Sequence, residues 1–173
     1  VWAYWGQDAT QQPCTTNGAT WSNAYVGVWH LSETNGNHAD ATSEGNEGTI
    51  NNSVDQDAQG IVGGANDFAG GQDDVVEIDG TASSFAFSDD TYSVSAWVNP
   101  DDVSDQWVAI IDNYDGNKGI RFRFDYDAIK LHHSAAFNSS GPEGGTVVVG
   151  KWQQVAAIVN GSSASVYVNG EKV

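Results

Sequence analysis

The stretch Tyr92-Ser93-Val94-Ser95-Ala96-Trp97-Val98-Asn99 decides the reading of this chain. Tyr92, Val94, Ala96 and Val98 alternate with Ser93, Ser95, Trp97 and Asn99. A period of two puts one set on each face of a strand. The same alternation returns in Ile120, Phe122, Phe124 and Tyr126 against Arg121, Arg123 and Asp125. It returns again in Ala164, Val166 and Val168 against Ser165, Tyr167 and Asn169. Further apolar runs lie at Val26–Leu31, Val75–Ile78, Trp107–Asp112, Thr146–Val149 and Trp152–Val159. No helical period lasts a dozen residues. Short strands separated by Gly, Asn, Asp, Ser and Thr predict an all-β antiparallel two-sheet sandwich. Asn169-Gly170 marks a tight hairpin of type I′.

The composition fits a domain with a real core. The chain has 173 residues, of which seven are Trp, six Tyr and six Phe, so it is not a disordered acidic tail. Asp and Glu number 23 against six Lys and Arg, a net charge of -17. All six basic residues lie after residue 117, as do only four of the acids. Such a charge repels phosphate backbones and anionic membranes, which excludes electrostatic nucleic-acid binding. No apolar stretch approaches the roughly 18 residues of a membrane span. Cys14 is the single cysteine, which leaves no internal disulfide and no Cys-based metal site.

The ends point to a larger context. Residues 1–20 read as the last strand of a preceding unit plus a linker, and residues 21–173 as the sandwich. The strand after Asn169-Gly170 has barely begun at Val173. The expectation is that the natural domain continues, or that its remaining strands come from another chain.

Several segments together are similar to a known family. Val26-Gly27-Val28-Trp29-His30-Leu31-Ser32-Glu33 resembles the opening of laminin-G-like modules of the concanavalin A-like lectin/glucanase superfamily. Asp40–Thr49 resembles their polar loop. Gly63–Gly70 with Asp73–Val76, Tyr92–Pro100, and Gly150–Gly170 look like later family elements. The resemblance covers about residues 26–173. It implies a concanavalin A-like jelly roll, here apparently lacking its C-terminal strands. It also implies an extracellular or cell-surface location, with the periplasm as the other compartment open to it. Such modules usually bind glycans or proteins and are rarely catalytic. Many hold a structural calcium.

Calcium takes six to eight oxygens, usually from a flexible loop. The loop Asp40–Glu47 offers Asp40, Ser43, Asn46 and Glu47 as expected Ca²⁺ ligands. Asp73-Asp74 and Asp112–Asn117 are further oxygen-rich turns, which read more readily as solvated turns. A sugar site needs aromatic faces with polar groups beside them. Trp97, Trp107, Tyr114, Arg121 and Arg123 are the expected ligand-binding set, with the two Arg placed to meet uronate or sulfate. Trp97 reads equally well as core.

No catalytic residue is expected. Glu77-Ile78-Asp79 resembles the start of a glucanase strand, but Gly80-Thr81-Ala82-Ser83 follows where a second Glu is needed. His132 and His133 are adjacent on a strand and face opposite ways. The expected function is a non-catalytic recognition module for a polysaccharide, a cell-surface glycan or a surface protein. A structural or assembly module of a larger surface or filament protein is the alternative. An accessory module of a polysaccharide-degrading enzyme is the second. Nucleic acid and direct membrane insertion are excluded as partners, while neighbouring domains and self-assembly stay open.

Overall fold

The computed structural model describes residues 20–61, 63–70, 73–78, 85, 91–114, 119–133 and 141–173. The expected unit and linker at residues 1–20, and Cys14, fall almost wholly outside them. The chain divides into two units, Val1–Ser84 and Phe85–Val173.

The first unit holds two small antiparallel pairs. Strands β1 (Gly48–Asn51) and β4 (Val75–Ile78) form one, β2 (Val54–Gln59) and β3 (Gly64–Phe68) the other. The run Val26–Leu31, expected as a strand, makes only an isolated bridge from Trp29 to Asp40. Leu31 sits at φ 53, which ends the extended path. Gly27 lies under the Trp29 ring, where an added Cβ would fall 2.2 Å from a ring carbon. The strand β2 reads Val-Asp-Gln-Asp-Ala-Gln, so no apolar period announces it.

The second unit is a two-sheet sandwich. One sheet has the order β12-β11-β10-β5: β5 is Thr91–Val98, β10 Gln153–Asn160, β11 Ser163–Val168 and β12 Glu171–Lys172. The other has the order β6-β7-β8-β9: β6 is Gln106–Asp112, β7 Ile120–Asp125, β8 Ala128–His133 and β9 Glu143–Gly144. All pairings are antiparallel.

The alternation read from the sequence is the physical basis of this sandwich. Phe122, Phe124, Ile129 and Leu131 of one sheet are buried with Val155, Ala157, Val159, Val166 and Val168 of the other. Tyr92, Val94, Ala96 and Val98 pack against that cluster from β5. Their neighbours Ser93, Ser95 and Trp97 therefore face outward. The run Thr146–Val149 forms no strand. Val147 still reaches the core at 2 % exposure, while the Val148 amide donates to the buried Gln153 side chain at 2.5 Å.

The Asn-Gly hairpin is as expected. Asn169 has φ 51 and Gly170 φ 82, the two positive values that a type I′ turn requires. A Cβ on Gly170 would meet nothing within 4 Å, so its restriction is backbone conformation alone. Gly170→Ala is therefore expected to lower stability by about 1 kcal/mol in urea unfolding, with no change in m.

Candidate functional site

Strand β6 carries an irregularity that builds a surface cluster. Gln106 pairs with Asp125 and Val108 with Phe124, so Trp107 faces no partner and is the extra residue of a β-bulge. Its φ is +70, a costly conformation for an aromatic residue. The bulge turns Trp107 onto the outer face of the sheet, where it is 55 % exposed.

Beneath it lies a buried cation. The Arg123 guanidinium carbon is 3.9 Å from the Trp107 ring centroid. Arg123 points outward from β7, yet it is only 2 % exposed. Its Nη1 donates to the Phe124 carbonyl at 3.0 Å, and its Nη2 to Asp125 Oδ2 at 3.0 Å. The same Nη2 lies 3.3 Å from His132 Nε2. An arginine only donates, so His132 Nε2 is the acceptor in this contact.

The charges around Arg123 close on themselves. Lys130 Nζ lies 3.4 Å from Asp125 Oδ2 and 2.5 Å from Glu143 Oε2. Two cations thus meet two carboxylates. Burial raises the Asp125 pKa as the largest single effect, but the bonds and charges of Arg123 and Lys130 together hold it below the ordinary value. The hydrogen bond from Lys130 to Glu143 is the main cause that raises the lysine. Two buried atoms, Arg123 Nε and Asp125 Oδ1, have no hydrogen-bond partner.

Arg121 and Tyr114 border the same ring. The Arg121 guanidinium carbon lies 5.7 Å from the Trp107 centroid and 5.6 Å from that of Tyr114. Arg121 Nε donates to Asp112 Oδ2 at 2.6 Å. The His132 ring is 5.5 Å from Trp107 and 6.4 Å from Tyr114.

The structure thus gathers four of the five expected ligand-binding residues, Trp107, Tyr114, Arg121 and Arg123. It sets Trp97 apart. Trp97 is 47 % exposed on the outer face of the other sheet, so it is neither core nor part of this cluster. Arg123 is also recast. A side chain this buried, already paired with Asp125, supports the tryptophan and cannot reach out to a uronate or sulfate. His132, Asp125 and Lys130 belong to the cluster but were not among the expected site residues. The alternation Arg121, Arg123, Asp125 was the available signal. His133 faces the core, 2.8 Å from the Tyr92 hydroxyl.

The loop expected to hold calcium has a different use for its carboxylate. Asp40 is 6 % exposed. Its Oδ1 accepts from the amides of Val28 (3.0 Å) and Thr42 (2.9 Å), and its Oδ2 from the Thr42 hydroxyl (2.7 Å) and the Asn46 amide (3.0 Å). A carboxylate has about four acceptor sites, so these donors fill them. The buried Asn46 donates its side-chain amide to Val26 O at 2.6 Å and accepts the Trp29 indole on its carbonyl at 2.7 Å. Ser43 and Glu47 are exposed. Asp40 and Asn46 are thus fasteners of the loop, and this donor set does not fit a calcium ion. Among the described residues, no group of three or more His, Cys, Asp and Glu is placed to hold a metal.

Other sequence candidates have ordinary partners. Glu77 lies exposed on β4 and accepts from the Asn51 amide at 3.1 Å. Asp79 lies outside the described residues. Asp112 caps the Tyr114 amide as well as pairing with Arg121, and Asp115–Asn117 lie outside the described residues. Asp74 accepts from the Ser53 amide at 3.0 Å.

The first unit also contains a buried histidine. His38 has no exposed surface, and its Nδ1 lies 2.8 Å from Glu33 Oε2. The Asn66 side-chain amide meets its Nε2 at 2.8 Å. With the Asp40 fastener, this network gives the unit a largely polar interior.

No helix among the described residues is long and apolar enough to cross a membrane. A laminin-G-like family model, described as the concanavalin A-like lectin/glucanases superfamily, matches residues 69–173. No curated protein and no solved structure matches the chain. The matched segment covers more than half of the 173 residues and contains the whole sandwich and its Trp107 cluster, so the chain belongs to the laminin-G-like modules of the concanavalin A-like lectin/glucanases superfamily.

Proposed function

We propose that this chain is a non-catalytic, extracellular recognition module that binds glycans on the outer face of the β6–β9 sheet. One observation carries this reading. Trp107 is 55 % exposed, held at positive φ in a bulge, and backed by a buried guanidinium 3.9 Å from its ring. Backbone strain of this kind tends to gather where a side chain must be presented in one orientation. An exposed ring with a fixed orientation loses little entropy when a flat, weakly polar sugar face stacks on it.

The charge pattern favours neutral sugars. Arg123 and Lys130 are matched by Asp125 and Glu143, and Arg121 by Asp112. The whole chain carries -17 and repels polyanions. The same pairing supports the non-catalytic reading. Glycoside hydrolysis uses two carboxyl groups, one of them a proton donor. Asp112 and Asp125 are each bound to an arginine, and Asp125 is held below the ordinary value, so neither suits that donor.

Affinity electrophoresis in gels containing neutral or anionic polysaccharides tests the reading. The chain is expected to be retarded by at least one neutral polymer and by no alginate or heparin. Trp107→Ala is expected to weaken that binding about thirtyfold, the effect of losing an anchor worth about 2 kcal/mol. Retardation unchanged by Trp107→Ala removes this site.

A further inference from the structure

We infer that the opposite face of the sandwich, the outer side of the β12-β11-β10-β5 sheet, is a second binding platform for an extended neutral polysaccharide, which makes the module a cross-linker of glycan chains. The inference rests on the glycan reading above but uses separate residues.

The strand registers define this face. Trp97 stands opposite Gln154, Ser95 opposite Ala156, and Ser93 opposite Ile158. Ala156 in turn stands opposite Tyr167. The inward neighbours on these strands supply the core, so this set points away from it. Trp97 is 47 % exposed and Ile158 43 %. Apart from Tyr167, the other outward residues of β5, β10 and β11 carry hydroxyl, amide or methyl side chains.

Charge selects the occupant. The chain carries 23 acids, yet none of the outward residues of β5, β10 and β11 is a carboxylate. Lys172, opposite Tyr167, is the charged residue that β12 adds on this side. A polyanion finds one lysine here against a net charge of -17. A second copy of the chain brings the same repulsion. An uncharged polymer rich in hydroxyls meets neither obstacle, and Ser93, Ser95 and Gln154 can both donate to it and accept from it.

Spacing argues for an extended polymer over a single sugar. Trp97 and Tyr167 lie two strands and two residues apart. At about 4.8 Å per strand and about 3.4 Å per residue, their backbones are about 12 Å apart. One sugar ring cannot stack on both, whereas a chain of several can cover both.

The core lies between this face and the Trp107 face, so two bound polymers sit on opposite sides of one module. Binding at both sites converts a lectin-like module into a bridge.

Isothermal titration of the whole chain with neutral hexasaccharides (of cellulose, laminarin and mannan type) tests this. Two sites per chain are expected for at least one of them. Trp97→Ala and Trp107→Ala are each expected to leave one site. Light scattering with the matching long polymer is expected to show cross-linked particles for the native chain and none for either variant. Circular dichroism confirms that both variants fold. A single site that vanishes in Trp107→Ala and is untouched by Trp97→Ala overturns the inference and leaves the Trp107 reading standing. One site lost with Trp97 alone overturns the Trp107 reading and the cross-linking, and keeps the second platform. No binding by any hexasaccharide overturns both.

Discussion

Asp125→Ala is expected to lower the free energy of unfolding of the chain by about 3 kcal/mol. Removing one member of a buried ion pair leaves the other charge without compensation, at a cost of about 3–5 kcal/mol. The lower end applies here, because Asp125 keeps 10 % side-chain exposure. Arg123 keeps only 2 % and cannot turn to solvent without moving Trp107. It would retain the Phe124 carbonyl and His132 Nε2 as acceptors, and neither is an anion. Lys130 fares better, since Glu143 remains within 2.5 Å. Urea unfolding followed by circular dichroism reads the loss. The double variant Arg123→Met, Asp125→Ala is expected to recover most of it, because apolar side chains of similar volume often replace a buried pair without penalty. It is also expected to loosen Trp107, seen as a red shift of its fluorescence. A loss below about 1 kcal/mol in the single variant would mean that the pair is solvated, and that Trp107 rests on no fixed charge.

The sandwich was legible because its core obeys a period of two. Phe122 and Phe124, Val155, Ala157 and Val159, and Val166 and Val168 all point inward, each set on one face of its strand. The Asn169-Gly170 turn was legible because few residue pairs accept two positive φ values. Apart from the run Val75–Ile78, which forms β4, the first unit was illegible for the opposite reason. His38, Asp40, Thr42, Asn46 and Gln56 are all buried polar residues, and hydrogen bonds do there what apolar alternation does elsewhere. Val26–Leu31 was apolar enough to pass for a strand, yet the Asp40 carboxylate takes the Val28 amide that a strand would use.

The candidate site was half legible. Alternation shows that Arg121 and Arg123 share a face, and equally that Trp97 shares one with Ser93 and Ser95. It does not show which strands join in one sheet, so Trp97 was grouped with residues that lie across the core. The Trp107 bulge leaves no trace in the period. The register shift between Gln106 and Val108 decides its direction, and it arises from pairing with β7.

Asp40→Ala is expected to have the other large effect. It removes the acceptor of three amides and one hydroxyl around a site with 6 % exposure. An orphaned buried donor costs about 1–3 kcal/mol, and water entering the vacated space satisfies some of the four. A net loss of about 3 kcal/mol or more is the expectation, located in the first unit. The Trp29 indole is a local reporter, because it donates to the carbonyl of Asn46, whose own amide Asp40 holds. Its indole N–H resonance is expected to shift on substitution. Asp40→Asn should lose nearly as much, since its NH₂ group faces donors on either oxygen position. Acid should act in the same direction as mutation. Burial raises the Asp40 pKa most, yet the bonds from Val28, Thr42 and Asn46 together hold it below the ordinary 3.8. A depressed folded value means that the stabilisation is complete above the unfolded pKa. It is then lost as pH falls below about 3.8 towards the folded value. The native chain should therefore lose this contribution in that acid window, and Asp40→Ala should be flatter there. Calcium separates this account from the ligand role expected of the loop. If Asp40 is a fastener, millimolar Ca²⁺ leaves the Asp40 and Asn46 amide resonances and the unfolding midpoint unchanged. A rise in midpoint with Ca²⁺ that disappears in Asp40→Ala would make the carboxylate a metal ligand, and its four protein donors would have to give way to the ion.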